Sequence, residues 1–167
     1  VTLYELARME HRRGNREGAS GLYHQSNGLF QTLGDQSGIA RNLYGMALIE
    51  QERGRYDEAS KLYARSLDID SKLQNLHGMA RTLNQLASIR YLGGSQDEAS
   101  RLYNESLEIA RRARNQQLTM ISLHNLALVE QGRGNYDEAS RLYNESLEIA
   151  RRLQDQSGIA KALHGLA

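Results

Sequence analysis

The chain has 167 residues, 21 basic and 20 acidic, for a formal net charge of +1. That balance gives no global field to draw in nucleic acid or an anionic membrane, and the absence of Cys excludes disulfides and thiolate metal sites. No apolar run nears the ~18 residues that would span a bilayer, and no basic-plus-apolar leader opens the sequence, so a soluble, cytoplasmic protein is expected.

Gly14, Gly54, Gly94 and Gly134 stand 40 residues apart, and each opens a related phrase: GNREGAS, GRYDEAS, GSQDEAS, GNYDEAS. The period holds without insertion or deletion, and Asp97–Arg112 recurs unchanged as Asp137–Arg152. A fixed period of this size marks stacked supersecondary units, each burying its apolar face only against its neighbours. The repeats are set at 1–35, 36–75, 76–115 and 116–155, with a partial fifth at 156–167, in one array over 1–167.

The first repeat departs most from the others. Gly18, Gly21 and Gly28 replace Glu58, Lys61 and Asp68 of the second repeat, and Asn27 replaces Leu67. Each Gly inside a helix costs about 1 kcal/mol relative to Ala, which suits a drifting terminal repeat better than a hinge. Phe30, the only Phe, is expected to fill the space that Asn27 leaves.

The second repeat reads as two helices. Leu43, Met46, Ala47 and Ile49 fall near one stripe of a 3.6-residue period, followed by the polar run 50–53. Gly54 then ends the helix, because a left-handed terminal residue is easiest without a side chain. The next helix opens near Tyr56, with Asp57 and Glu58 in its first turn where carboxylates suit the exposed N–H groups. Its apolar face is Ala59, Leu62, Tyr63, Ser66 and Leu67, continued by Ile69 and Leu73. The helix should end near Leu73, with Gln74 and Asn75 forming a tight connection. Nothing alternates with period two, so no strand is expected.

Equivalent positions in the remaining repeats show what the stack requires. Small residues recur at Ala7, Ala47, Ala87, Ala127 and Ala167 in the first helices, and at Ala19, Ala59, Ala99 and Ala139 in the second. Leu22, Leu62, Leu102 and Leu142 each precede a Tyr, at 23, 63, 103 and 143, and Ser26, Ser66, Ser106 and Ser146 follow three residues later. The four tyrosines are therefore expected in the core. The chain stops inside the first helix of repeat five with Leu163 and Leu166 on the face where a second helix should lie, and it begins at Val1 without Met. A fragment of a longer protein, or an end covered by a copy of the chain, is expected.

The frame Leu43-x2-Met46-Ala47, then Gly54, then Ala59-x3-Tyr63, resembles the tetratricopeptide repeat, whose signature runs W-x2-L-G, A-x3-F and a terminal P. Leu43 stands for the Trp, Ala47 for the Gly, Glu50 where Tyr is common, and no Pro is present. A period of 40 would also admit HEAT-like repeats, whose Pro and small-residue pattern fits poorly. The resemblance implies an all-α, right-handed α-solenoid of about four and a half stacked antiparallel helix pairs.

No phosphate-binding Gly loop, H-E-x-x-H or G-x-S-x-G is present, so no enzyme and no cofactor are expected. Of the five His residues only His124 and His164 share a repeat position. Neighbouring first helices lie roughly 8–10 Å apart, and no carboxylate partner is evident, so no metal is expected. The sequons at Asn104 and Asn144 sit mid-helix and are read as chance.

By resemblance, the first helices line a concave groove. One register then carries Tyr4, Tyr44, Asn84, His124 and His164, and the next Glu5, Gly45, Gln85, Asn125 and Gly165. Arg41, Arg81 and Lys161 lie one turn earlier, Arg8, Leu48, Ser88 and Leu128 one turn later, and Tyr91 further along. Amides of Asn and Gln can both donate to and accept from a peptide backbone, arginines can hold carboxylates, and tyrosines add apolar contact with a polar tip. The expected groove residues are Arg8, Arg41, Tyr44, Arg81, Asn84, Gln85, Ser88, His124, Asn125, Lys161 and His164. Gly45 and Gly165 lack the amide that such a backbone clamp would use, and a solvated polar face is the alternative. A protein or peptide partner is expected, with acidic residues near Arg41 and Arg81. Two further classes stay open: a regulatory or sensor segment of a larger regulator, and self-association through the C-terminal end.

Overall fold

The computed structural model describes residues 2–167, which form nine α-helices and no strand. They are α1 (Leu3–Arg12), α2 (Arg16–Leu33), α3 (Gln36–Glu52), α4 (Tyr56–Lys72), α5 (Leu76–Leu92), α6 (Gln96–Arg112), α7 (Gln116–Gly132), α8 (Tyr136–Arg152) and α9 (Gln156–Leu166). Two compact units divide the chain, Val1–Gly78 and Met79–Ala167. In the first, α1 packs on α2, α2 on α3 and α3 on α4, and α1 also touches α3. In the second, α6, α7, α8 and α9 pack in the same succession, and α7 also touches α9. Within each unit these helices meet their chain neighbours, and the first helices α1 and α3, and α7 and α9, lie side by side. No helix of the described residues is long and apolar enough to cross a membrane.

Local chemistry fixes where these helices start. Most first helices open on a carboxylate or amide: Asp35, Asn115 and Asp155 accept from the backbone N–H of Gly38, Leu118 and Gly158 at 2.9, 3.0 and 3.1 Å. Such a cap satisfies one of the orphan donors of the first turn and contributes about 1 kcal/mol. Helices α4, α6 and α8 have no side-chain cap and instead carry the expected Asp–Glu pair in the first turn. At the turn within the repeat, Gly54 is left-handed with φ 75°, as the sequence suggested. Between repeats the same conformation falls on Gln74, Arg114 and Gln154. A residue with a Cβ gives up roughly 1–2 kcal/mol there, which the flanking helices must offset.

The recurrent residues form the core. Tyr23, Tyr63, Tyr103 and Tyr143 are all buried, and the alanines at 7, 47, 87 and 127 are fully enclosed. Ala167, the last of that series, is instead exposed. The repeated Ser makes a repeated bond, because Ser66, Ser106 and Ser146 donate to the carbonyls of Ala40, Ala80 and Met120 at 2.9, 2.8 and 3.1 Å. Each bond ties the second helix of a repeat to its own first helix. Arg53 reaches both Glu50 and Glu17, and Arg133 both Glu130 and Asp97, so within each unit one guanidinium links consecutive repeats.

The junctions between repeats are filled in pairs. A Cβ added at Gly38 would overlap the ring of Phe30, and one at Gly78 would overlap the carboxyl of Asp70. Phe30 therefore covers Gly38. Ala150 lies against Gly158 at the corresponding junction of the second unit. Gly21 and Gly28 in α2 have nothing within 4 Å of an added Cβ. The helix runs through both without a break from Arg16 to Leu33.

Candidate functional site

The register of Tyr4, Tyr44 and His124 faces the core tyrosine of its own repeat. Tyr4 meets Tyr23 at 6.0 Å between centroids, Tyr44 meets Tyr63 at 5.4 Å, and His124 meets Tyr143 at 5.4 Å, all tilted. This explains why rings recur there: a flat side chain completes the cover over the tyrosine. Tyr44 is consequently buried, and its expected place on an open groove is corrected.

Asn84 interrupts the series of rings and is also buried. Its Nδ2 donates to Ser122 Oγ at 3.0 Å, and its Oδ1 accepts from Asn125 Nδ2 at 2.9 Å. Ser122 shares a 2.9 Å hydrogen bond with Ser106, which ends the relay on the Ala80 carbonyl. Both ends of the Asn84 amide are thereby satisfied inside the fold, so it is not an open peptide contact. Asn125 stays half-buried, with one N–H committed to the same relay. Ser88, another expected groove residue, hydrogen-bonds Tyr103. Gln85 and Arg81 are half-buried.

In the first unit, Arg8 and Arg41 are exposed and converge on Tyr4. Their guanidinium carbons lie 5.7 and 5.2 Å from the ring centroid, and Arg41 is also 5.8 Å from the centroid of Phe30. Arg41 Nε donates to the Ser37 carbonyl at 3.4 Å, and Arg8 pairs with Glu5 at 3.4 Å. Stacking of this kind contributes about 0.5–1 kcal/mol at exposed sites. It steadies two cations while leaving to solvent the terminal N–H groups of Arg41 and those of Arg8 that Glu5 does not take.

In the second unit, the groove between α7 and α9 contains two adjoining cavities that share His124 and Lys161. The first, about 220 Å³, is lined by Gln117, Met120, Ile121, His124, Asn125, Ser146, Asp155, Ser157, Gly158 and Lys161. The second, about 170 Å³, adds Leu128, Gln131, Tyr143, His164 and Gly165. Four expected residues, His124, Asn125, Lys161 and His164, are brought together here. Gln117, Met120 and Asp155 were not anticipated. They lie at the start of the two helices and on their inner flank, where the sequence offers only a cap residue as a signal.

Charges in this groove are set by their neighbours. The Gly158 N–H and then the Gln117 amide, 3.3 Å from Asp155 Oδ2, lower the Asp155 carboxyl below its ordinary range. Burial, reinforced by the Lys161 ammonium, lowers the pKa of His124, so that its imidazole is neutral at pH 7. Among the described residues no group of three or more His, Asp or Glu is placed to hold a metal.

Antiparallel helix pairs stacked on a 40-residue period around a tyrosine core define an all-α helical-repeat protein of the interaction or regulatory class. The chain belongs to the tetratricopeptide repeat family, whose model matches residues 1–72, 38–112 and 118–167. No curated protein sequence matches it. Among solved structures, BtubC (BKLC) from P. vanneervenii is similar with TM-score 0.85 at 21% identity, over 98% of this chain and 68% of that one. A Podosopora anserina putative kinesin light chain with nearly identical TPR-like repeats gives 0.75 at 19% identity, over 98% and 81%. A Rap protein complexed with competence and sporulation factor gives 0.87 at 15% identity, over 96% of this chain and 45% of that one. At these identities the likeness is one of fold.

Proposed function

We propose that the chain is a protein-interaction module that holds an extended segment of a partner protein against the exposed faces of its first helices. One observation carries the reading: the α7–α9 groove, where two adjoining cavities present polar groups from both helices beside the apolar Met120, Ile121 and Leu128. Pockets that place a few polar groups among apolar walls are the usual form of a recognition site. Lys161 and His164 are exposed at its edge. Exposed Arg8 and Arg41, fixed over Tyr4, suit acidic residues of a partner in the first unit. The structurally similar Rap protein was solved in a complex with competence and sporulation factor, which supports a ligand-holding role for the fold.

A peptide-library screen of the purified chain tests this, beside a Gln117→Ala/Lys161→Ala variant that still melts cooperatively. Both side chains line the groove and neither belongs to the buried core. Hits weakened about tenfold or more in the variant are expected, since truncating a well-placed contact costs more than 1 kcal/mol. Hits bound equally by both proteins would remove the groove as the binding site.

A further inference from the structure

We infer that the larger α7–α9 cavity receives the carboxamide side chain of a Gln or Asn in the partner segment. The inference rests on the peptide-holding reading and names the chemistry that this one pocket selects.

Charge disfavours an ionic occupant. Asp155 and Lys161 both line the cavity and are near enough for the ammonium to affect the carboxyl. A carboxylate entering to meet Lys161 also meets Asp155, and an ammonium entering to meet Asp155 also meets Lys161. Either ion would surrender hydration without a net opposite charge to receive it. A neutral polar group avoids that loss.

Hydrogen-bonding capacity narrows the choice further. The Nδ1 of His124 is buried without a hydrogen-bond partner, which leaves Nε2 as the ring atom that can serve a ligand. In a neutral imidazole that atom donates in one tautomer and accepts in the other. A primary carboxamide has two N–H donors and a carbonyl acceptor, so it pairs with His124 in either state. Gln117 commits one N–H to Asp155, and the rest of its amide can both donate and accept. The walls of Met120 and Ile121 suit the methylenes of such a side chain. A cavity of about 220 Å³ has room for one side chain and excludes a helix.

Amide-resolved NMR titration of the whole chain tests the assignment, with N-acetyl-glutamine N-methylamide and its glutamate counterpart as probes. The glutamine compound is expected to shift resonances of residues 117–125 and 155–161 saturably, and the glutamate compound to bind about tenfold more weakly, as for a site whose polar groups are left mismatched. His124→Phe, which keeps a ring over Tyr143 but removes both nitrogens, should weaken the glutamine compound about tenfold while the chain still melts cooperatively. Glutamate binding as tightly as glutamine, no shift in the groove, or glutamine binding unchanged by His124→Phe would each overturn the inference. Library peptides that bind the groove indifferently to Gln or Glu would also overturn it, yet leave the peptide-holding reading intact. A seated glutamine compound with no bound peptide would remove that reading alone.

Discussion

Helices α6 and α8 share every residue from Asp97 to Arg112 and from Asp137 to Arg152, yet they do not share a chemistry. Both run 17 residues, both bury the same Ala, Leu, Tyr and Ser, and in both an Asn donates to the carbonyl four residues back. Their surroundings then diverge. The hydroxyl of Tyr143 donates to Gln131 at 3.0 Å and its ring lies beside His124. Tyr103 has Tyr91 where a Gln would stand, and hydrogen-bonds Ser88 instead. Ser106 joins the relay through Ser122 to Asn84, whereas Ser146 holds only a carbonyl. Arg141 pairs closely with Glu138, and Glu145 also takes Arg111 from α6. Identical sequence therefore fixes the helix and its buried stripe, while the neighbouring first helices fix ionisation and polar contacts.

The largest expected effect tests whether the two tyrosines are equivalent in packing. Tyr103→Ala and Tyr143→Ala should each cost about 3–5 kcal/mol, the usual range for truncating a buried aromatic. The two losses should agree within about 1 kcal/mol, because both rings are buried on helices of identical sequence. Denaturant melts in which one variant stayed near the parent while the other collapsed would break the comparison.

A smaller change probes why Gly165 follows α8. Its added Cβ would overlap the ring of Tyr143, as one at Gly45 would overlap Tyr23. Gly165→Ala should then cost about 1–3 kcal/mol through overpacking. Gly21→Ala in α2, where the space is open, should instead stabilise by about 0.5–1 kcal/mol. The same pair of thermal melts reads both, and equal signs would refute the packing account.

The finest distinction is titration. Burial pushes the Tyr103 hydroxyl up to about 12, and burial also raises that of Tyr143. The unfolded phenol ionises near 10, so between pH 10 and about 12 the unfolded state has lost a proton that the folded state keeps. Stability is then fully present below pH 10 and falls as pH rises through that window. Ultraviolet titration of Tyr103→Phe against the parent should remove a late-ionising phenol; an unchanged curve would contradict the assignment.

Much of this was legible in advance, and the reasons are local. The second helix of repeat two was expected from Tyr56 to near Leu73, and it spans Tyr56–Lys72. Gly54 takes the left-handed turn, and all four expected tyrosines are buried. Each of these follows from periodicity, turn chemistry or a first-turn carboxylate, and needs no knowledge of a neighbour. Tyr44 and Asn84 show the limit. A first-helix side chain can turn toward solvent, lean on the tyrosine of its own repeat as Tyr44 does, or bond to the next repeat as Asn84 does. Only packing decides which.

The amino-acid sequence by itself determined the family, the 40-residue period, the helix pairs and the apolar stripe, because all of these depend on residues close along the chain. Tertiary structure alone decided that Phe30 covers Gly38, that Asn84 ties Ser122 to Asn125, and that Asp155 and Lys161 share one cavity with a neutral His124. Those outcomes depend on volumes and polar atoms meeting across the boundary between one repeat and the next. A period announces such encounters, but the side chains that differ between repeats settle what each encounter becomes.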